Sequence, residues 1–183
     1  MEIFSASLLG NDRILRINMI VEETHKTFAR VHLGYDWAAL LMSYEELTAP
    51  VQNRKQQRLN ELIEIFLIHA RVLYEFFFKG EHDDNCIAEH FLEESGTYYS
   101  QRADKEDLRK IIHIINKYLA HPSHTRVTGP KDWRLDTIKI TKQLIETLGL
   151  FMQLSPNEKR KYFSWEGAIV PKYQEANKKN FIS

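Results

Sequence analysis

The sequence predicts an all-α fold, an up-and-down bundle of four to five helices with a β-hairpin in front of it. Three observations carry this reading. From Tyr35 onward, apolar residues recur at helical spacing. Only seven glycines and five prolines interrupt 183 residues, which leaves room for few loops. Asp36, Pro50, Gly80, Asp104 and Pro122 stand where periodic segments should start or stop. The length is that of a single domain, able to bury a core without disulfide staples.

Residues 1–34 form the extension. Ile3 to Leu9 and Arg13 to Glu22 are rich in β-formers, and Gly10-Asn11-Asp12 between them is turn chemistry. A two-stranded hairpin is marginal alone, so this one should pack on the helices or pair with another chain. The bundle occupies residues 35–163. Asp36 is placed to cap a helix over Trp37 to Leu47, which Ala49-Pro50 stops. The next helix, about Asn53 to Lys79, carries Leu59, Leu62, Ile63, Phe66, Ala70, Leu73 and Phe77 on one stripe. Its other faces are also mostly apolar, which makes it the central helix. A short helix from Asn85 to Glu94 ends at Ser95-Gly96-Thr97, before a polar loop with Tyr98 and Tyr99. Asp104 then caps a helix over Lys105 to His121. The last long helix, about Asp132 to Leu154, is patterned by Leu135, Ile138, Ile145, Leu148 and Met152. Ser155-Pro156-Asn157-Glu158 reads as a capping box for one short turn. Residues 164–183 form a polar tail with scattered aromatics (Trp165, Tyr173, Phe181), a docking arm or a partly disordered segment.

Composition removes several classes of function. Hydrophobic residues are 43% and charged residues 27%, ordinary for a soluble globular protein. Lys plus Arg equals Asp plus Glu at 25 each, so any surface for nucleic acid must be a local patch. The single cysteine, Cys86, excludes an internal disulfide framework and Cys-based zinc sites within one chain. A reducing compartment, the cytoplasm, is the simplest reading. No signal peptide is visible at the N-terminus, and no segment offers the roughly 20 apolar residues of a membrane span. Glycine-rich phosphate loops, serine elbows and Cys–His pairs are not apparent, which sets aside nucleotide-driven motors, serine hydrolases and thiol enzymes.

The most informative stretch is Ile114-Ile115-Asn116-Lys117-Tyr118-Leu119-Ala120-His121-Pro122. A patterned helix closes there with a histidine and a proline, so His121 stands at a helix terminus rather than inside a core. Asn116, four spacers and His121 at the end of a bundle helix resemble the motif of the HEPN family, many members of which cut RNA. Ile115 stands where that motif carries an arginine. The resemblance covers about Asp36 to Leu154, and its specific part is this one motif. It implies metal-independent RNA binding or cleavage in a groove between two protomers, with no cofactor and no metal. His121 would be the general acid or base, and Asn116 would support it or the phosphate. The cation that a phosphoryl transition state needs would come from Lys117, Arg126 or Arg71. A microbial defence or toxin–antitoxin setting follows, with a homodimer and an antitoxin-like protein partner. The plainer alternative is that Asn116 and His121 satisfy orphan carbonyls at the helix end.

Three further groups bear on chemistry. Arg71 shares one side of the central helix with Glu64 and Glu75, either as a clamp facing His121 or as a structural ion pair. Arg109, Lys110, His113 and Lys117 line one helix face, with His124 and Arg126 in the next loop, a stripe suited to phosphate. Arg54, Lys55 and Arg58 cluster at a helix start, and Lys159-Arg160-Lys161 near the tail. A metal could be sought at His82-Asp83-Asp84 with Glu89-His90, or at His69, His121 and His124. Glu22-Glu23-Thr24-His25 has the Glu-x-x-His pattern of di-metal bundles, but in the expected strand region. Two other classes remain beside the RNA reading: a non-catalytic dimerising interaction module of the same fold, and a metal-dependent bundle enzyme.

Overall fold

Helix begins at the first residue that can be described. The computed structural model describes residues 19–49, 56–78, 86–101, 112–113, 116 and 133–181. Helix α1 covers residues 19–27 and passes through a π-helical turn, Phe28–Leu33, into α2, Gly34–Thr48. Then come α3 (Gln56–Phe78), a 3₁₀ turn (Ala88–Phe91), α4 (Ser95–Gln101) and α5 (Trp133–Leu154). Helix α6 (Asn157–Arg160), a second 3₁₀ turn (Lys161–Phe163) and α7 (Glu166–Phe181) complete the chain. The fold is all-α. Among the described residues there is no strand, and no helix is long and apolar enough to cross a membrane.

The expected second strand is corrected at its end: residues 19–22 are helical. Tertiary contacts decide this against local β-propensity. Glu22, His25 and Phe28 are spaced by three, one side of a helix, and each meets the bundle. Glu22 accepts the Tyr162 hydroxyl, His25 leans on Phe91, and Phe28 packs on Phe76. Residues 1–18, with the rest of the hairpin, lie outside the described residues. Helix also runs unbroken across residue 34, so Asp36 lies inside a helix rather than capping one.

The core is built on α3. Leu62, Ile63, Phe66, Ala70, Leu73 and Phe77 are buried as the stripe requires. Its opposite face is not: Ile65 and Ile68 are exposed, so α3 is half-embedded rather than surrounded. On α5 the buried stripe is Thr137, Ile140, Thr141, Leu144, Thr147, Leu148 and Phe151, with Ile138, Ile145 and Met152 on its flanks. Threonines hide this stripe from a hydropathy reading. Thr147 satisfies its hydroxyl on the Gln143 carbonyl one turn back, at 2.8 Å. Phe151 is the hub, edge-on to Phe163 (5.1 Å), Phe76 (5.6 Å), Phe77 (5.7 Å) and Tyr98 (6.2 Å). Tyr98, expected in a polar loop, is fully buried on α4 and donates to the Phe77 carbonyl at the end of α3.

The expected tail is a helix. α7 buries Ile169 and Ala176, sets Tyr173 against Tyr44, and takes the Tyr44 hydroxyl on Asn177 Oδ1. Just before it, Trp165 donates Nε1–H to the Ala29 carbonyl at 2.8 Å and lies over Gly34. The capping box expected at Ser155 is absent. Pro156 occupies the N-cap without a side-chain bond, and Ser155 Oγ donates back to the Phe151 carbonyl. Arg160 instead caps the preceding C-terminus, that of α5, with Nε donating to the Ser155 carbonyl and Nη2 to the Gln153 carbonyl, both at 2.7 Å.

Candidate functional sites

Of the motif residues, Asn116 is described: it is helical and half-buried. His113, three residues earlier and so on the same side, is helical and exposed. His121, Lys117, Arg126, His124, Arg109 and Ile115 lie outside the described residues, as do His82, Asp83 and Asp84. Arg71 does not sit in a buried clamp. Its Nε donates to Glu75 Oε1 at 3.0 Å on the surface of α3. An exposed i,i+4 pair of this kind contributes only about 0.3–0.5 kcal/mol. Among the described basic residues, Arg58 Nη2 donates to both carboxylate oxygens of Glu46 at 2.9 and 3.0 Å, Arg160 caps α5, and Lys159 Nζ donates to the His90 carbonyl at 2.8 Å.

Two histidine arrangements emerge that separation along the chain concealed. In the first, Asp36 Oδ1 and His69 Nδ1 meet at 2.7 Å between α2 and α3, with Tyr35 edge-on to the imidazole. His121 and His124, the other members of the three-histidine set, lie outside the described residues. Burial raises the Asp36 carboxyl above its ordinary value of 3.8, while the hydrogen bond and charge of His69 pull the other way. A carboxyl raised on folding contributes stability that is complete below 3.8 and is lost as pH rises through the native value. Asp36→Asn should remove this slope, so the variant gains on wild type as pH rises through that window. Urea melts from pH 3 upward check it, and parallel stability curves would refute it.

The second lies where α1 meets the first 3₁₀ turn. His25 stacks on His90 at 4.6 Å and 7°, and donor atoms of His25, His90 and Cys86 all fall within 4.8 Å of one another. A cleft of about 440 Å³ opens beside the two histidines, lined also by Glu22, Glu158, Lys159 and Lys161. Burial lowers the basicity of His25, and the charges of His90 and Lys159 lower it further. Burial alone pushes the Cys86 thiol up to about 12, which keeps it protonated and unreactive while unligated. The expected absence of a Cys–His pair is therefore corrected. Two signals could have revealed it: Cys86-x-x-x-His90, and Glu22-x-x-His25 read as helix instead of strand.

The fold defines an all-α helical bundle. No family model, curated protein or solved structure matches this chain, so the functional reading rests on its own residues.

Proposed function

We propose that this protein is a HEPN-like RNA-binding bundle that cuts RNA without a metal, acting as a homodimer in the cytoplasm, in a defence or toxin–antitoxin setting with an antitoxin-like partner. The observation that supports it best is Asn116 on helical backbone, five residues before His121 in the sequence, with His113 one turn earlier on the same side. In this reading His121 exchanges the proton of the attacking 2′-hydroxyl or of the leaving oxygen. Asn116 holds the imidazole or the phosphate. Lys117 or Arg126 supplies the charge that Ile115 cannot, beside the developing phosphorane. Arg71, held by Glu75 through Nε, would serve through its terminal nitrogens.

Wild type and His121→Ala should be compared on a labelled tRNA and mRNA pool with EDTA present. Wild type is expected to cut, and the variant to lose at least about 100-fold, the low end for removing a general acid–base group. Equal cutting by a variant with unchanged circular dichroism would remove the assignment.

A second reading, the dimerising module, draws on another observation. Val31, Tyr35 and Met42 are exposed along the first long helix, and Ile65 and Ile68 along α3. A second copy of the chain is the occupant this reading requires. A protein that is folded, dimeric and inert towards RNA would favour it.

A further inference from the structure

We propose that His25, Cys86 and His90 form a zinc(II) site with three protein ligands and a fourth position open to the adjoining cleft. It shares no residue with the Asn116–His121 motif and does not rest on the activity proposed above.

The donor types select the ion. One thiolate with two imidazoles is a borderline-soft set, suited to zinc and ill suited to magnesium or calcium, which take oxygen ligands. The expectation that a single cysteine excludes a Cys-based zinc site holds only for multi-cysteine centres. One thiolate is enough when two histidines complete the set. Spacing also fits. A tetrahedral zinc with bonds of about 2.0–2.3 Å holds its ligands roughly 3.3–3.8 Å apart. The donors here lie within 4.8 Å without an ion, so side-chain rotations of about an ångström close the gap.

Two chain segments present these groups. Cys86 and His90 flank the start of the 3₁₀ turn, four residues apart, and His25 comes across from α1. The turn is held in place by Lys159, whose ammonium takes the His90 carbonyl. Glu22, one turn before His25, lines the same cleft and is oriented by the Tyr162 hydroxyl at 3.1 Å. It is the carboxylate best placed to accept a hydrogen bond from a water in the fourth position. Glu22 and Glu158 offset Lys159 and Lys161 around the cleft, so the local charge does not repel a cation. Binding has two structural costs. The stacked rings must rotate, and coordination through His90 Nδ1 replaces its long 3.3 Å contact from the Ile87 N–H. The thiol proton leaves to solvent as the sulfur–zinc bond forms, with no change in oxidation state.

The test uses the full chain, stripped by chelation and titrated with cobalt(II) as a coloured stand-in, then with zinc(II). One cobalt per chain should bind, with a thiolate-to-cobalt charge-transfer band that zinc displaces and that Cys86→Ser lacks. Zinc should raise the melting temperature of wild type. His25→Ala and His90→Ala should each weaken zinc by at least the roughly 10–100-fold typical of losing a mere supporting group. Absence of the band in folded wild type at stoichiometric cobalt would overturn the site. So would a band unchanged in both histidine variants, which would mean that the thiol recruits the metal elsewhere. Because the band is read first on wild type, misfolding of a variant cannot rescue the proposal.

Discussion

Phe151→Ala should destabilise the protein by about 3–5 kcal/mol, the range for truncating a core phenylalanine. At this chain length that lowers the melting temperature by roughly 6–20 °C. Phe151 is fully buried, and its ring meets aromatics from α3, the first 3₁₀ turn, α4 and the second 3₁₀ turn. The methyl left by alanine reaches none of those rings, and large aromatic neighbours relax poorly into the void. Edge-to-face contacts add about 0.5–1.5 kcal/mol per pair beyond burial, so even Phe151→Leu should be measurably weaker. Chemical denaturation of both variants checks this. A loss below about 1 kcal/mol for alanine would mean that the cluster does not close around this ring.

The second large effect is expected at Trp165. Trp165→Ala should cost about 3 kcal/mol, the low end for a large aromatic, because the indole is only partly buried. It removes the donor that satisfies the Ala29 carbonyl inside the π-helical turn, and the ring packed on Trp37 and Phe163. The same indole crowds Gly34. A Cβ at Gly34 would stand 2.8 Å from Trp165 Cδ1 and 3.2 Å from Cγ, the packed base of the ring rather than a movable tip. Gly34→Ala therefore sets about 1 kcal/mol of gained helix propensity against about 1–3 kcal/mol of overpacking. Alone it should be neutral to destabilising. In the Trp165→Ala background, where the clash is gone, it should stabilise by up to about 1 kcal/mol. A double-mutant cycle measures this directly, and additive effects would refute the contact.

The sequence discloses elements where burial and hydropathy coincide, as on α3. Reading fails where they separate. Buried Thr137, Thr141 and Thr147 make the core face of α5 look polar, so the apolar residues flanking it carry the visible pattern. Met19, Ile20 and Val21 read as strand by propensity and are exposed residues of α1, a helix fixed by its contacts through His25 and Phe28. Polar α7 reads as a tail, because only Ile169, Tyr173 and Ala176 mark its packed side. Sites are harder still. Asp36 and His69 are 33 residues apart, and nothing local to either announces the pair. The His25, Cys86 and His90 cluster draws on two distant segments, and it becomes legible only once α1 is known to be helical.

The placement of Trp37 and Trp165 has an optical consequence. Their indoles lie 6.4 Å apart, one sealed in the core and the other at the entry to α7. Chromophores that close couple, so the folded protein should carry an exciton signature in circular dichroism. Lifting the C-terminal helix away from α2 would uncouple the pair while leaving most helical signal intact. The chain thus carries its own probe for the docking of its last helix, readable without labels and on the timescale of a stopped-flow mixer.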